Sequence, residues 1–346
     1  MSVTRMALVG LGATGLAIGG SLANRVDCEL VGAVDKNPDV GGKDLGDLLG
    51  LGPLGVEVVT DIELLPDVDV AVVATTSDLV QVAGTLMPLL ERSINVVSIC
   101  EQLAFPWQSH PELASELDAA ARAHGVTVLG TGANPGVLMD TLPLLLSVLT
   151  QSANRVVVRR RTNMSRYGAI LSKFGLGLAP GDFAAEREAG TVIGHVGFEQ
   201  AIAAVAAGLG WQLDEIVVDG VEPAIVSRSR RQGAHAVIEP GTISAVTHRA
   251  RGLCGGDAVI DLEIMFGFFD DSDDVQPGDE YRIEGGDQVI TLASATGFES
   301  FLSTIAAAVN VAAAAVDAPA GLRSMGELPV LTLASKGTRM RVEAIS

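Results

Sequence analysis

A run of apolar residues, Met6-Ala7-Leu8-Val9, feeds directly into Gly10-Leu11-Gly12-Ala13-Thr14-Gly15, and this Gly-x-Gly-x-x-Gly spacing constrains the chain more than any other feature. The spacing alone is a weak signal, and its surroundings give it weight. Leu16 to Ala23 reads as a helix of small residues, and a second apolar strand, Glu29 to Val34, ends on Asp35. That acid stands about twenty residues beyond the last glycine, where a βαβ dinucleotide unit places a carboxylate for ribose hydroxyls. Gly10 serves the tight turn, Gly12 lets backbone approach a pyrophosphate, and Gly15 permits close packing of helix on strand. The helix N-terminus then offers unpaired N–H groups and the positive end of its dipole. The predicted cofactor contacts are therefore Gly10, Leu11, Gly12, Ala13, Thr14 and Gly15, with Asp35 and Lys36 at the ribose. Asp35 favours NAD by repelling a 2′-phosphate and Lys36 offsets that repulsion, so NADP and NAD both stay open.

Two other readings of this opening are weaker. A secretory signal is conceivable, because Arg5 precedes the apolar run and Ser21-Leu22-Ala23 resembles a cleavage site. The glycines at 10, 12, 15, 19 and 20 fit a phosphate loop better, and cleavage there deletes the first strand of the βαβ unit. A ligand-free glycine turn does not explain why strand, glycines, helix, strand and acid all fall in register.

Composition limits the remaining classes. With 346 residues the chain has room for two domains. Its 48% hydrophobic content with only 4% aromatics and 40 glycines suits a close-packed α/β architecture. A net charge of −19 argues against nucleic acid and anionic membrane partners, which need clustered Lys and Arg. There is no uninterrupted apolar run long enough to span a bilayer. The three cysteines, Cys28, Cys100 and Cys254, are far apart and form no metal-ligand spacing, which points to no metal and to a reducing cytoplasm.

Further strands follow at Val56–Val59, at 69–74, at 95–100 and at 126–129. The run Asp69 to Ala74 reads as a parallel strand buried on both faces. It delivers Thr75, Thr76 and Ser77 to the edge where ligands bind in a doubly wound sheet; these hydroxyls either touch a ribose or cap the next helix. The strand ending at Cys100 delivers Glu101 to the same edge. On residue type alone, Glu101 is either a proton-transfer group or a first-turn Glu favoured by the helix dipole. Gly130-Thr131-Gly132-Ala133-Asn134-Pro135-Gly136 is a second glycine-rich loop, leading to a helix expected from Val137 to Leu149. Asn134 either orients a ligand or closes an Asx-turn.

The segments VGLGATG, VDKNP, VVSICEQLAFPW and GTGANPGVLMDTLP, together with GHVGFEQ (Gly194 to Gln200) and IEPGTISAVTHRARG (Ile238 to Gly252), resemble the dihydrodipicolinate-reductase-like superfamily. Within it the chain resembles 2,4-diaminopentanoate dehydrogenase and the related native amine dehydrogenases, over nearly its whole length. It lacks the paired-His motif, downstream Lys and Gly-Thr loop of the dihydrodipicolinate reductases. It also reads Glu101-Gln102 where the diaminopentanoate enzymes usually have Glu-Glu, and Ser294-Ala295-Thr296-Gly297-Phe298 where they tend to have Gly-Asp-x-Ala-Thr.

The resemblance implies an α/β fold: a Rossmann doubly wound parallel sheet in residues 1–140, and an α+β substrate and dimerisation domain on an open, largely antiparallel sheet in 141–297. A C-terminal helix and tail in 298–346 return to the first domain. Strands at 155–161, 215–218, 236–238, 258–266 and 280–283, and a helix at 298–315, are consistent with that plan. The implied activity is NAD(P)-dependent, reversible oxidative deamination of a primary amine or a diaminopentanoate-like amino acid. Its partners are a small amine or carbonyl, ammonia and a second copy of the chain. Glu101 is the implied catalytic residue; Asn310 is either a nicotinamide contact or a buried helix Asn bonded to backbone; Leu138, Met164, Tyr167 and Phe174 either line the substrate pocket or pack in the core, and His195 either lines the pocket or is structural. Arg159, Arg160, Arg161 and Arg166 are candidates for a substrate carboxylate, most of them expected to be solvated, and the acidic run Asp270 to Asp274 reads as a solvated hairpin tip. The alternatives on the same scaffold are a reductase of another carbonyl or imine and a non-catalytic NAD(P)-binding sensor.

Overall fold

Continuous apolar runs and single glycines place the strands of the first unit. In the computed structural model, which describes residues 3–168 and 170–329, the chain divides into one unit of residues 1–137 and 301–346 and a second of 138–300. The expected tail beyond Pro329 lies outside the described residues.

The first unit is a parallel sheet built from β1 (Thr4–Val9), β2 (Cys28–Val34), β3 (Val58–Val59), β4 (Val70–Val73), β5 (Asn95–Ser98) and β6 (Thr127–Gly130), joined by β16 (Gly321–Arg323). Its order is β16-β6-β5-β4-β1-β2-β3. All four residues of β4 are buried, as a strand covered on both faces requires. The helices of this unit are α1 (Ala13–Ala23), the single turn α2 (Leu45–Leu48), α3 (Leu79–Glu91), α4 (Pro111–Ala123) and α9 (Ser300–Ala312), which begins at the last residue of the second unit. Strand order reverses between β1 and β4, and such a switch point opens a crevice beyond the carboxyl ends of the strands.

The second unit carries β7 (Ala153–Asn163), β8 (Glu215–Val218), β9 (Glu222–Val226), β12 (Ile243–Cys254), β13 (Asp257–Gly267), β14 (Gly278–Gly285) and β15 (Val289–Ser294), plus a small ribbon of β10 (Arg231–Gln232) and β11 (Val237–Ile238). Its sheet runs β15-β14-β7-β13-β12-β8, with β9 also on β12. It is antiparallel except that β7 and β13 pair in parallel. Helices α5 (Thr141–Ser147), α6 (Ile170–Lys173), α7 (Pro180–Glu188) and α8 (Phe198–Leu209) complete the unit. Phe198, Ala201, Ile202 and Val205 of α8 are buried in the core that also takes Val156 and Val158 of β7.

Several expectations need correction. The helix expected from Val137 to Leu149 runs only from Thr141 to Ser147: the preceding loop has non-helical backbone angles at Asn134, Pro135 and Gly136, and Asp140 caps the helix start by accepting the Thr141 N–H. The helix expected to reach Ala315 ends at Ala312 and continues as a short 3-10 turn. The acidic run at 270–274 is not a hairpin tip, since β14 pairs with β7 rather than with β13. Asp273 is buried against Arg231, which donates from Nη1 and Nη2 at 2.5 and 2.7 Å.

Arg155, Arg159 and Arg160 of β7 are likewise committed to internal partners. Strand alternation turns Val156, Val158, Arg160 and Thr162 to the buried face. Arg160 Nη2 donates to Asp279 Oδ2 at 3.1 Å and to the Phe298 carbonyl at 2.7 Å. The same Asp279 oxygen accepts the Phe298 N–H at 2.8 Å. On the other face Arg159 pairs with Asp261 at 2.5 Å. Both side chains of the Arg160–Asp279 pair are 0% exposed, so Arg160→Ala leaves an uncompensated buried carboxylate and is expected to destabilise by about 3–5 kcal/mol. The exposed Arg187–Glu222 pair, broken by Arg187→Ala, is expected to cost under ~1 kcal/mol. Equilibrium urea unfolding checks both, and equal effects contradict the assignment.

Candidate functional site

The turn between β1 and α1 is held by its own backbone. Gly10 has φ +91°, and a Cβ there lies 2.6 Å from the Ala74 carbonyl oxygen; a Cβ on Gly15 lies 1.9 Å from the Gly10 oxygen. Around Gly12 the outcome is opposite, with nothing within 4 Å of an added Cβ. Helix α1 has no side-chain cap and no acid in its first turn. Its first N–H groups therefore have no side-chain cap at the positive end of the dipole, and the space beside Gly12 is open.

That space is a cleft of about 780 Å³ at the switch point, lined by Gly10, Gly12, Asp35, Lys36, Thr75 and Thr76 among others. Asp35 is fixed by two backbone donors: Oδ2 accepts Leu11 N–H at 2.6 Å and Oδ1 accepts Asn37 N–H at 2.8 Å. Asp61 and Glu63, not singled out in the sequence, line the same cleft. Arg92 holds their turn by donating to the carbonyls of Ile62 and Leu65. The N-cap of α3 is Asp78, whose carboxylate accepts Gln81 N–H at 2.9 Å, while Thr76 Oγ1 accepts Asp78 N–H at 3.3 Å. Thr76 thus both lines the cleft and supports the cap. The dimensions, the open anion-binding N–H groups and the anchored acid fit a dinucleotide.

Glu101 opens a 3-10 turn, Glu101–Leu103, which follows β5 after Ile99 and Cys100, and is half-buried. This turn sits against β6 so closely that a Cβ on Gly130 lies 2.4 Å from Ala104 N and Leu103 C. On its other side Gln102 Oε1 accepts the Leu79 N–H of α3 at 2.8 Å. Cys100 Sγ donates to the Ser77 carbonyl at 3.1 Å, and burial pushes this thiol up to about 12. The loop Ala133–Val137 packs beside the Glu101 turn, and Ala133 N–H donates to Thr304 Oγ1 of α9 at 3.1 Å. Asn134 Oδ1 and Thr131 Oγ1 in this loop are buried without a hydrogen-bond partner among the described residues.

Asn310 does not join these groups. Its Oδ1 accepts from Arg25 Nη1 at 3.3 Å. Arg25 lies past the C-terminal end of α1, an 11-residue helix, and so about 16 Å along the axis from the glycine turn. Near α9, Thr304 is the residue bonded to the cis-proline loop.

In the second unit Phe174 stacks on Phe266 at 4.4 Å between centroids, and His195 lies edge-on to Phe198 at 4.8 Å. Phe266, 6.1 Å from His195, links the two pairs. Leu138, Met164 and Phe174 are buried, and Tyr167 is half-buried. His195 N–H donates to His248 Nδ1 at 2.9 Å, and the opposite ring nitrogen of His248 bonds the Asp219 carbonyl at 2.9 Å. Phe266, Phe198 and His248 were not predicted, because partners far apart in sequence leave no periodic trace.

The family profile described as 2,4-diaminopentanoate dehydrogenase C-terminal domain matches residues 137–344, and that described as dihydrodipicolinate reductase, N-terminus, matches 4–98. The 2,4-diaminopentanoate dehydrogenase of Acetoanaerobium sticklandii is 29% identical over 337 residues, covering 95% of this chain and 94% of that protein. The structure of an amine dehydrogenase from Mycobacterium smegmatis superposes with a TM-score of 0.81 at 26% identity, covering 96% of this chain and 97% of that one. A myo-inositol dehydrogenase from Corynebacterium glutamicum shares the fold alone, at TM-score 0.53 and 13% identity over 93% of this chain and 90% of that one.

Burial, with the nearby His248 and Arg160, lowers His195 to about 3, so its ring is neutral throughout the physiological range. In the unfolded chain the ring takes its proton near pH 6.5. Between those values only the unfolded state binds the proton, so stability present above 6.5 is lost as pH falls toward 3. The slope from this residue is up to about 1.4 kcal/mol per pH unit. His248, also lowered by burial, acts in the same direction. Urea midpoints measured from pH 7 to 5 are expected to fall more steeply for wild type than for His195→Gln; parallel slopes contradict the assignment.

Proposed function

The chain belongs to the family of the 2,4-diaminopentanoate dehydrogenase C-terminal domain, and from that premise we propose that it is an NAD(P)-dependent amine dehydrogenase, an oxidoreductase acting on CH–NH₂ donors. The reaction is the reversible oxidative deamination of a primary amine to a carbonyl and ammonia. Hydride acceptance from the amine's α-carbon is the chemistry that a bound nicotinamide supplies. The cleft at the switch point holds the dinucleotide, with the Gly12 turn and the α1 N-terminus at the pyrophosphate and Asp35 at a ribose. Asn134 and Thr75 are further cofactor contacts in this reading.

The observation that carries the proposal is that the turn bearing Glu101 is held past the carboxyl end of β5, between Gly130 and the start of α3. Loss of hydride leaves an iminium, whose positive charge Glu101 stabilises electrostatically. Glu101 then takes a proton from the water that attacks the iminium carbon. Glu101 returns that proton to the carbinolamine nitrogen, and as the C–N bond breaks the hydroxyl gives up its proton, so that ammonia and the carbonyl leave.

Met164, Phe174 and His195 build an apolar substrate wall, together with Phe266. Three features favour a substrate without a carboxylate. His195 is neutral, Arg160 is occupied by Asp279, and Arg231 is occupied by Asp273. The chain works as a homodimer in the cytoplasm. The outward face of the second sheet, where Arg155, Arg159 and Arg249 alternate with Asp261 and Glu263, supports a self-complementary contact. Three unpaired thiols support a reducing compartment.

NAD is the preferred cofactor. Asp35, Asp61 and Glu63 line the cleft with Lys36 as the single cation among its lining residues, which disfavours a 2′-phosphate. NADH is expected to bind at least about 10-fold more tightly than NADPH, with Asp35→Ser narrowing the gap. Fluorescence titration reads both constants, and equal affinities in wild type contradict the preference. For the chemistry, NADH oxidation by a panel of ketones and aldehydes is expected to require ammonium and to fall about 10²- to 10⁴-fold in Glu101→Gln. Turnover independent of ammonium points instead to a carbonyl or imine reductase.

A further inference from the structure

Resting on the role proposed for Glu101, we infer that Gln102 is the positioning residue that couples this carboxylate to the cofactor-lining segment after β4. The two segments are joined by a short set of hydrogen bonds, most of them converging on 77–79. Gln102 Oε1 accepts the Leu79 N–H at 2.8 Å, taking one of the donors that α3 leaves open at its N-terminus. Gln102 N–H donates to the Ser77 carbonyl at 3.4 Å, and Cys100 Sγ donates to that same oxygen at 3.1 Å. Thr75 and Thr76, immediately before, line the cleft. Within the turn, Leu103 N–H donates to the Cys100 carbonyl at 3.0 Å and Ala104 N–H to the Glu101 carbonyl at 3.2 Å. Gly130 presses on the opposite side.

Gln102 is therefore the side chain that stops the Glu101 turn from sliding away from α3. Asp78, the cap residue, is already committed to Gln81 and does not substitute for it. The requirement is for an acceptor of this length at residue 102, so Glu serves as well as Gln: a carboxylate receives the same N–H and suits the helix dipole. Leu and Met fill the space and leave the Leu79 N–H unbonded. A displacement of the carboxylate by about 1 Å is enough to cost on the order of 10²-fold in rate.

The test compares Gln102→Leu, Gln102→Met and Gln102→Glu in ammonium-dependent NADH oxidation, each at its own pH optimum, with NADH affinity read separately by fluorescence. The Leu and Met variants are expected to lose about 10- to 100-fold in kcat with NADH affinity within about 3-fold of wild type. Gln102→Glu is expected to retain kcat within about 3-fold, and this expectation holds even if the apolar variants fail to fold. Wild-type kcat in either folded apolar variant overturns the inference, as does a Glu variant as impaired as Leu. Glu101→Gln separates the two levels: if it keeps full activity, the role of Glu101 fails first. If it is inactive while Gln102→Leu is unimpaired, only the role of Gln102 fails.

Discussion

The first turn of α1 rests directly on the backbone of the strand that precedes it, and the geometry of the first unit follows from that contact. A methyl group on Gly15 would lie 1.9 Å from the Gly10 oxygen, inside any tolerable separation, so the approach exists only because Gly15 lacks a Cβ. The approach brings the uncapped N-terminus of α1 to the point where strand order reverses. Gly12 faces open space there. One steric condition thereby produces both the packing of α1 and an anion-binding edge.

The remainder of the proposed chemistry is linked to that edge through backbone groups more than through side-chain pairs. Beyond β4, the Ser77 carbonyl and the Leu79 N–H receive the turn that carries Glu101. The next strand contributes a glycine rather than a side chain, because Gly130 must admit the backbone of Leu103 and Ala104. The backbone that carries the Glu101 carboxylate is thus held between two such constraints.

What was legible in the sequence was local. The glycine turn, the acid after β2, the apolar runs of β1, β4 and β5 and the placement of Glu101 each depend on residues a few positions apart. So did the fold class, because alternation of buried strand and helix is enough to indicate a doubly wound sheet. The second unit was harder to read. Its 12-residue β12 was missed beyond a motif: Thr247, Arg249 and Arg251 alternate with buried His248, Ala250 and Gly252, which blurs the apolar signal. The hairpin that follows turns on Gly255 and Gly256, at φ +61° and +86°, a signal that was present in the sequence. Arg160, one of the arginines that residue type offers as a candidate for a substrate carboxylate, is instead buried against Asp279, a partner 119 residues away. Asn310 was assigned by analogy, and its placement is set by Arg25, 285 residues distant. Such pairings obey no spacing rule.

The central claim is that this scaffold forms and breaks a carbon–nitrogen bond at the expense of a nicotinamide. The most direct measurement is the fate of ¹⁵N-ammonium during NADH oxidation with a ketone, followed by mass spectrometry of the product. The account predicts one ¹⁵N-labelled amine formed for each NADH consumed, with no alcohol. NADH consumption that yields the alcohol, with no ¹⁵N in the product, contradicts it.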